Sequence, residues 1–456
     1  MTRRQMMFGR FALAAAVCML GWSAAVATPL DDYVAAPDPA FKYTLVGKTE
    51  DAAATTYLYH MVSQTWLDAS KVDRPLWEHE VFVTVPKETA FTKAMMFIGG
   101  GGNPLKADDT PENDPFDKIA LATKSIVAHV KQIPNQPLRF PDEKDPRYTE
   151  AGRKEDAMIT YGWDKFLTGG DPVWLARLPM TKAVVRAMDL VQKEFPQTDG
   201  FFVAGGSKRG WTTWTVAAVD KRVIGIAPAV IDVLNFIPSL ENHINAYGFW
   251  APSVSDYVDM KITDRLHTPE MKALLDVVDP YTYRDRLTMP KYVCNSAGDQ
   301  FFPADSWRFY WEGLKDEKFL CYFPNTDHGL NADAYFRIAG FYHALMAGTP
   351  RPKFAWDRNA DGSFTVRCET KPTAVRLWKA VNPDARDFRL ETLGKKYEAV
   401  ELPLSADGVY TTDVKAPEKG WTAFFLEMEF PNGDFPFPFV FTTGVSILPD
   451  AYPPKK

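Results

Sequence analysis

Basic runs are missing from this chain. Its 52 Lys and Arg are outnumbered by 58 Asp and Glu, the formal net charge is −6, and nowhere do the cations cluster. That excludes nucleic-acid binding through a basic face. Cysteine is scarce, with 4 in 456 residues. With no Cys-x-x-Cys pair and no His-Glu-x-x-His, neither a metal nor any other cofactor is expected. Internal repeats and low-complexity tracts are also absent, and a composition of 46% hydrophobic and 24% charged residues is that of a globular chain.

The single long apolar run lies at the start. Arg3, Arg4 and Arg10 flank an apolar stretch over 11–22, and Ala25-Val26-Ala27 supplies small residues behind it. This order marks residues 1–27 as a secretory signal peptide, with cleavage expected after Ala27. The run is short for a membrane helix and no second span follows, so the processed chain is expected to be periplasmic or secreted. Cys294, Cys321 and Cys368 then remain. They allow at most one disulfide, and buried thiols are an equal alternative for the first two, which sit in strand-like runs.

Two patterns divide the rest. Over 28–350, β-rich apolar runs (93–98, 125–130, 200–204, 223–230, 291–296, 318–323) alternate with segments of helical spacing (172–195, 207–220, 305–314). Such alternation implies an α/β fold, a doubly wound and mostly parallel sheet covered by helices on both faces. Earlier runs at 42–47, 57–67 and 79–86 read as antiparallel edge strands. The segment 236–283, rich in Trp, Tyr and His, interrupts the alternation and is expected to form a lid. After Thr349-Pro350-Arg351-Pro352 the helical pattern stops. Seven short strands are expected, at 364–370, 374–381, 388–391, 399–404, 408–414, 422–430 and 438–448. They make 353–456 a β-sandwich-like domain that packs on the first or helps to shape its cleft.

The segment Ala204-Gly205-Gly206-Ser207-Lys208-Arg209-Gly210 ends a buried strand and opens a helix. A nucleophilic serine needs such a sharp turn with small flanking residues. The spacing here is G-x-S-x-x-G, with Arg209 where glycine is usual, and Ser207 could equally be a helix N-cap. The order Gly-Lys-Ser/Thr of a phosphate-binding loop is missing. Later in the chain, Asp299 follows the run 291–296 and His328 follows 318–323, so both fall at carboxyl ends of parallel strands, as Ser207 does. Asp232 is the rival acid, while His343 lies in an apolar helical run. Met95-Met96-Phe97-Ile98 leads into Gly99-Gly100-Gly101-Gly102, where the amides of Gly100 or Gly101, with that of Lys208, could hold a developing oxyanion. Glu155 and Asp156 are expected to anchor Arg209 or Arg153. The Lys208 side chain has two readings: it pairs with these acids, or it reaches the cleft and favours anionic substrates.

Gln132-Ile133-Pro134-Asn135-Gln136-Pro137-Leu138, Glu155-Asp156-Ala157, Leu178-Pro179-Met180-Thr181-Lys182-Ala183, Ser207-Lys208-Arg209-Gly210-Trp211-Thr212-Thr213-Trp214 and Asp232-Val233-Leu234-Asn235 together resemble the PhoPQ-activated pathogenicity-related protein family. The resemblance spans roughly 30–450 and implies an exported α/β-hydrolase-like protein with a C-terminal β domain. It also brings in secreted relatives described as autocrine proliferation repressors. The basic residue after the serine is similar to the elbow of glucuronoyl esterases. The expected activity is therefore serine hydrolysis of a small-molecule or envelope-derived ester or amide by Ser207, His328 and Asp299. The alternative is a secreted binding or signalling protein that keeps the fold without turnover.

Overall fold

The computed structural model describes residues 27–105 and 116–454. Apart from Ala27, the segment read as a signal peptide lies outside them. Strands β1 (Lys42–Glu50), β2 (Ala54–Thr65), β3 (Leu76–Pro86), β4 (Lys93–Ile98), β5 (Val127–Val130), β6 (Gly200–Gly206), β7 (Val223–Ala229), β8 (Lys291–Ser296) and β9 (Lys318–Phe323) form one nine-stranded sheet. Its order is β1-β2-β3-β5-β4-β6-β7-β8-β9. β1, β2 and β3 pair antiparallel, β5 joins β3 antiparallel, and every later pairing is parallel. This is the α/β-hydrolase arrangement.

The central strands read as continuous apolar runs because both faces are covered. All of β8 and the first six residues of β6 are buried. The helices Arg177–Glu194 and Lys208–Val219 and the helix Asp333–Ala347 supply the covering. Between β7 and β8, the segment 236–283 contains the helices Phe236–Tyr247 and Pro269–Val278. Trp211 ties the elbow helix to it by donating to Val278 O at 2.6 Å. The helical spacing read at 305–314 resolves into two short 3-10 turns, Ser306–Phe309 and Trp311–Gly313.

The C-terminal region consists of β10 (Phe354–Arg358), β11 (Phe364–Cys368), β12 (Ala374–Asn382), β13 (Glu398–Glu401), β14 (Val409–Thr411), β15 (Trp421–Phe430), β16 (Phe439–Thr442) and β17 (Ser446–Leu448). They make two antiparallel sheets, β10-β11-β14 and β13-β12-β15-β16, with β17 also on β15. The sequence reading did not include β10, and two further departures from it come from packing against distant residues. The 438–448 run splits into β16 and β17 around Gly444, where even a Cβ would meet the Trp307 ring at 2.0 Å. The expected strand at 388–391 is instead a helical turn, Leu390–Leu393. Leu390 N–H donates to Gly298 O at 2.8 Å, and Arg389 is clasped by Asp387 at 2.6 Å. Cys294 and Cys321 are register partners on β8 and β9, yet they and Cys368 are free thiols.

The region of the nine-stranded sheet and the C-terminal region share a buried seam. Phe319 and Phe341 from the first pack on Phe441 of the second, with the Phe319 and Phe441 rings stacked at 4.3 Å. Tyr292 donates to Val440 O at 2.8 Å. Arg386 and Asp305 pair across the seam at 2.6 Å, each 1% exposed. Burial by itself would raise the Asp305 carboxyl, but Arg386 and Arg308 outweigh it and hold the group at about 2. Because that value lies below the ordinary 3.8, the pair stabilises fully above about pH 4 and loses its contribution as pH falls toward 2. Arg386→Ala should cost about 3 kcal/mol at pH 7, because the buried Asp305 carboxylate loses its closest cation and keeps only Arg308 at 3.3 Å. Denaturant melts should show the gap from the parent protein narrowing as the pH is lowered from about 4 toward 2.

Candidate active site

β6 ends at Gly206, and the helix Lys208–Val219 begins two residues later. Ser207 is the whole turn. It sits at φ 58°, ψ −125°, a conformation that L-residues avoid and that aims the side chain outward from the sheet edge. A Cβ on Gly205 would come within 2.9 Å of Arg209 O, and one on Gly210 within 2.7 Å of Ala229 O. Glycine at these two positions lets the helix close directly on the strands, so Gly210 takes the part that a glycine two after the serine plays elsewhere. Ser207 N–H donates to Ala229 O at 2.8 Å, and Ser207 Oγ has no hydrogen-bond partner among the described residues.

Arg209 explains its own departure from the usual pattern. Its guanidinium binds both oxygens of Glu155, at 2.8 and 2.5 Å, and donates to Ile133 O. It lies directly under the glycine loop, where a Cβ on Gly100 would be 2.8 Å from Nη2. The family string around Gln132 holds the same loop from the other side. Gln132 N–H donates to Gly100 O, Ile133 N–H to Gly99 O and Gln136 Nε2 to Gly101 O, while Gln136 also exchanges hydrogen bonds with Glu155. β4 and β6 run parallel with Ile98 opposite Gly205, so Gly100 lies level with Ser207. Among the described residues, the amides of Gly100, Gly101 and Lys208 donate to no protein acceptor. The expected anchoring of Arg209 by Glu155 is present, but sequence reading missed that Gln132 and Gln136 join that pair as the loop's scaffold.

Asp299 and His328 follow β8 and β9. Asp299 Oδ2 is 2.8 Å from His328 Nδ1, and its Oδ1 accepts the Phe301 N–H at 2.7 Å. A carboxylate can only accept, so Nδ1 carries a proton and Nε2 is the ring nitrogen left for another partner. That Nε2 is buried with no protein partner. Ser296 Oγ donates to Thr326 O at 2.8 Å and Gln300 Oε1 accepts the His328 N–H at 3.0 Å, which lock the two loops together. Phe301 packs on the imidazole, with ring centroids 4.3 Å apart. Ser207 and His328 line one cavity of about 150 Å³, with no hydrogen bond between them.

Asp232, the rival acid, faces elsewhere. It accepts hydrogen bonds from Tyr310, at 2.6 Å, and from Tyr322. Burial pushes its carboxyl up to about 7. Lys208 reaches the cleft already paired, with Nζ 2.7 Å from Asp156 and 3.5 Å from Glu155. Arg153 pairs with Glu143 rather than with Glu155 or Asp156. His343 stacks on Phe435.

The model of the PhoPQ-activated pathogenicity-related proteins matches residues 30–389. The chain belongs to that family. Among curated family relatives, Autocrine proliferation repressor protein A of Dictyostelium discoideum is 38% identical over 459 residues, covering 93% of this chain and 91% of its own. Solved structures with weaker likeness include acetyl xylan esterase 1 from Thermoanaerobacterium sp. (15% identity, TM-score 0.47, 69% of this chain and 91% of that one). A glucuronoyl esterase from Solibacter usitatus is another (16%, 0.40, 68% and 87%).

The buried Asp232 gives this family member a pH signature. Its folded value lies above the ordinary 3.8, so the native state holds a proton that the unfolded chain has released. Stability should therefore fall as pH rises from about 4 to about 7 and then level off. Thermal melts of Asp232→Asn across that range should show a flatter profile than the parent protein.

Proposed function

We propose that this protein is a serine hydrolase of carboxylic esters or amides, exported by the N-terminal segment 1–27. The observation that carries the reading is His328, held by Asp299 at Nδ1, unpartnered at Nε2, and lining the same cavity as the strained Ser207. Ser207 Oγ attacks the carbonyl carbon while Nε2 takes its proton, and Asp299 orients and stabilises the imidazolium. The oxyanion forms against the Lys208 N–H and the N–H of Gly100 or Gly101. His328 then returns the proton to the leaving group, and water releases the acyl group by the same steps in reverse. Closing of the gap between Ser207 and His328 on substrate binding fits the looseness common in unliganded sites.

A second reading, a signalling protein without turnover, is favoured by the name of the Dictyostelium relative, 38% identical over most of both chains. A fluorophosphonate probe separates the two. Hydrolase chemistry requires labelling that disappears in Ser207→Ala; folded parent protein that stays unlabelled would leave only the signalling reading. Asp299→Asn should keep the fold and lower kcat by roughly 10³–10⁴-fold, because the imidazole then loses its correct tautomer.

A further inference from the structure

Ser207 also lines a second cavity, on whose wall His328 does not appear but Arg177, Lys208, Trp211 and Tyr257 do. Arg177 opens the helix Arg177–Glu194 and is 2% exposed. Its guanidinium lies over the Trp211 ring, 4.3 Å from the centroid, and Nη1 donates to Lys208 O at 3.0 Å. Among the described residues it makes no other hydrogen bond and meets no carboxylate, and its Nε is buried without a partner.

A guanidinium stays charged in a folded protein, so this one is a cation taken out of water. Burial pulls it below its ordinary value, and Tyr257 and Asp156 only partly oppose that. The acids nearby are engaged elsewhere. Asp156 gives one oxygen to Lys208 at 2.7 Å and the other to Tyr257 at 3.2 Å. Asp232 accepts from Tyr310 and Tyr322, and with its carboxyl pushed up to about 7 it brings little negative charge below neutral pH. Arg177 and Lys208 against Asp156 leave the wall with a positive charge, and a buried charge is costly until an opposite one meets it.

The shape of the vacant edge selects the anion. Nη1 is used, so Nε and Nη2 remain, side by side along one edge of the planar fork. A carboxylate meets such an edge with both oxygens, whereas a phosphate would bring further charge that no cation on this wall balances. The chemistry then says which part of the substrate carries it. A leaving oxygen must take its proton from His328 Nε2, so the alcohol lies in the cavity that Ser207 and His328 share. The acyl substituent, across the scissile bond, extends into the cavity of Arg177.

Resting on the hydrolase reading above, we infer that the acyl part of the substrate carries a carboxylate, which Arg177 binds through its vacant Nε–Nη2 edge. Arg177 is thus a substrate-binding residue. Lys208, whose side chain is held by Asp156, contributes its backbone amide to the oxyanion.

The test uses the full-length mature protein and kcat/KM for the p-nitrophenyl half-esters of glutarate, adipate and pimelate. Each is set against the uncharged chain of the same carbon count (pentanoate, hexanoate and heptanoate), with spontaneous hydrolysis subtracted. The best charged ester should exceed its uncharged partner by about 10-fold or more, the order expected of a charge-assisted pair. Arg177→Gln should lower that ratio about 10-fold and Arg177→Lys by less, whereas a purely structural Arg177 would slow both members of the pair alike. The carboxylate of 3-acetoxybenzoate, which belongs to the alcohol, should bring no such gain over phenyl acetate. In the parent protein, adipate should slow fluorophosphonate labelling of Ser207 more than adipamide at the same concentration, a comparison that holds even where the variants fail to fold. A labelled Ser207 with no charged ester favoured, a preference that follows the carboxylate of the alcohol, equal protection by adipate and adipamide, or a ratio unmoved in folded Arg177→Gln would overturn the acyl assignment and leave the hydrolase standing. Folded protein that is neither labelled nor active on any ester would overturn both.

Discussion

The ion pair between Arg209 and Glu155 holds together the parts on which the site depends. Arg209 sits on the first turn of the elbow helix, and its guanidinium reaches across to a carboxylate 54 residues away. Both hydrogen bonds of the fork are used, which fixes direction as well as distance. Burial would raise Glu155, but Arg209 and Lys208 hold it below its ordinary value, so the pair stays charged. Through Gln136 the same carboxylate reaches Gly101, and Arg209 itself reaches Ile133. Elbow and glycine loop therefore cannot shift independently. A glycine two after the serine would complete a conventional elbow, but it would remove a group that ties the two loops together.

The neighbouring pair, Lys208 and Asp156, has a different consequence. Two adjacent cations follow Ser207, and two adjacent acids open the helix Glu155–Gly169 to meet them. Strength counts for little here, since burying two charges costs nearly what their attraction returns. What the pairing decides is the electrostatic character of the cleft. The helix N-terminus keeps its free amides, while the side chains of Lys208 and Arg209 are met by Asp156 and Glu155 and that of Arg177 has no acid partner among the described residues.

The C-terminal domain acts on the site from behind. Leu390 N–H binds Gly298 O, Tyr397 N–H binds Asn325 Oδ1, and Arg386 pairs with Asp305. Gly298 adjoins Asp299, and Asn325 lies three residues before His328. The domain thus buttresses the loops that carry the carboxylate and the imidazole, though it lines neither cavity.

Much of this architecture is local in origin, and for that reason the sequence alone determined it. Continuous apolar runs ending in small residues mark parallel strands and their carboxyl-terminal loops, so β4, β8 and β9, the Ser207 turn and the loops bearing Asp299 and His328 were all readable from neighbouring residues. The 305–314 segment and Phe388–Glu391 were misread because their apolar residues answer to distant partners, Val445 for Trp307 and Gly298 for Leu390. Two equally placed carboxylates follow β7 and β8, and only the folded chain turns Asp299 toward His328 and Asp232 toward Tyr310 and Tyr322. The partner of Lys208 was likewise decided in three dimensions. Charge pairing and cavity shape depend on atoms brought together from far along the chain, and no local pattern of residue types records those distances.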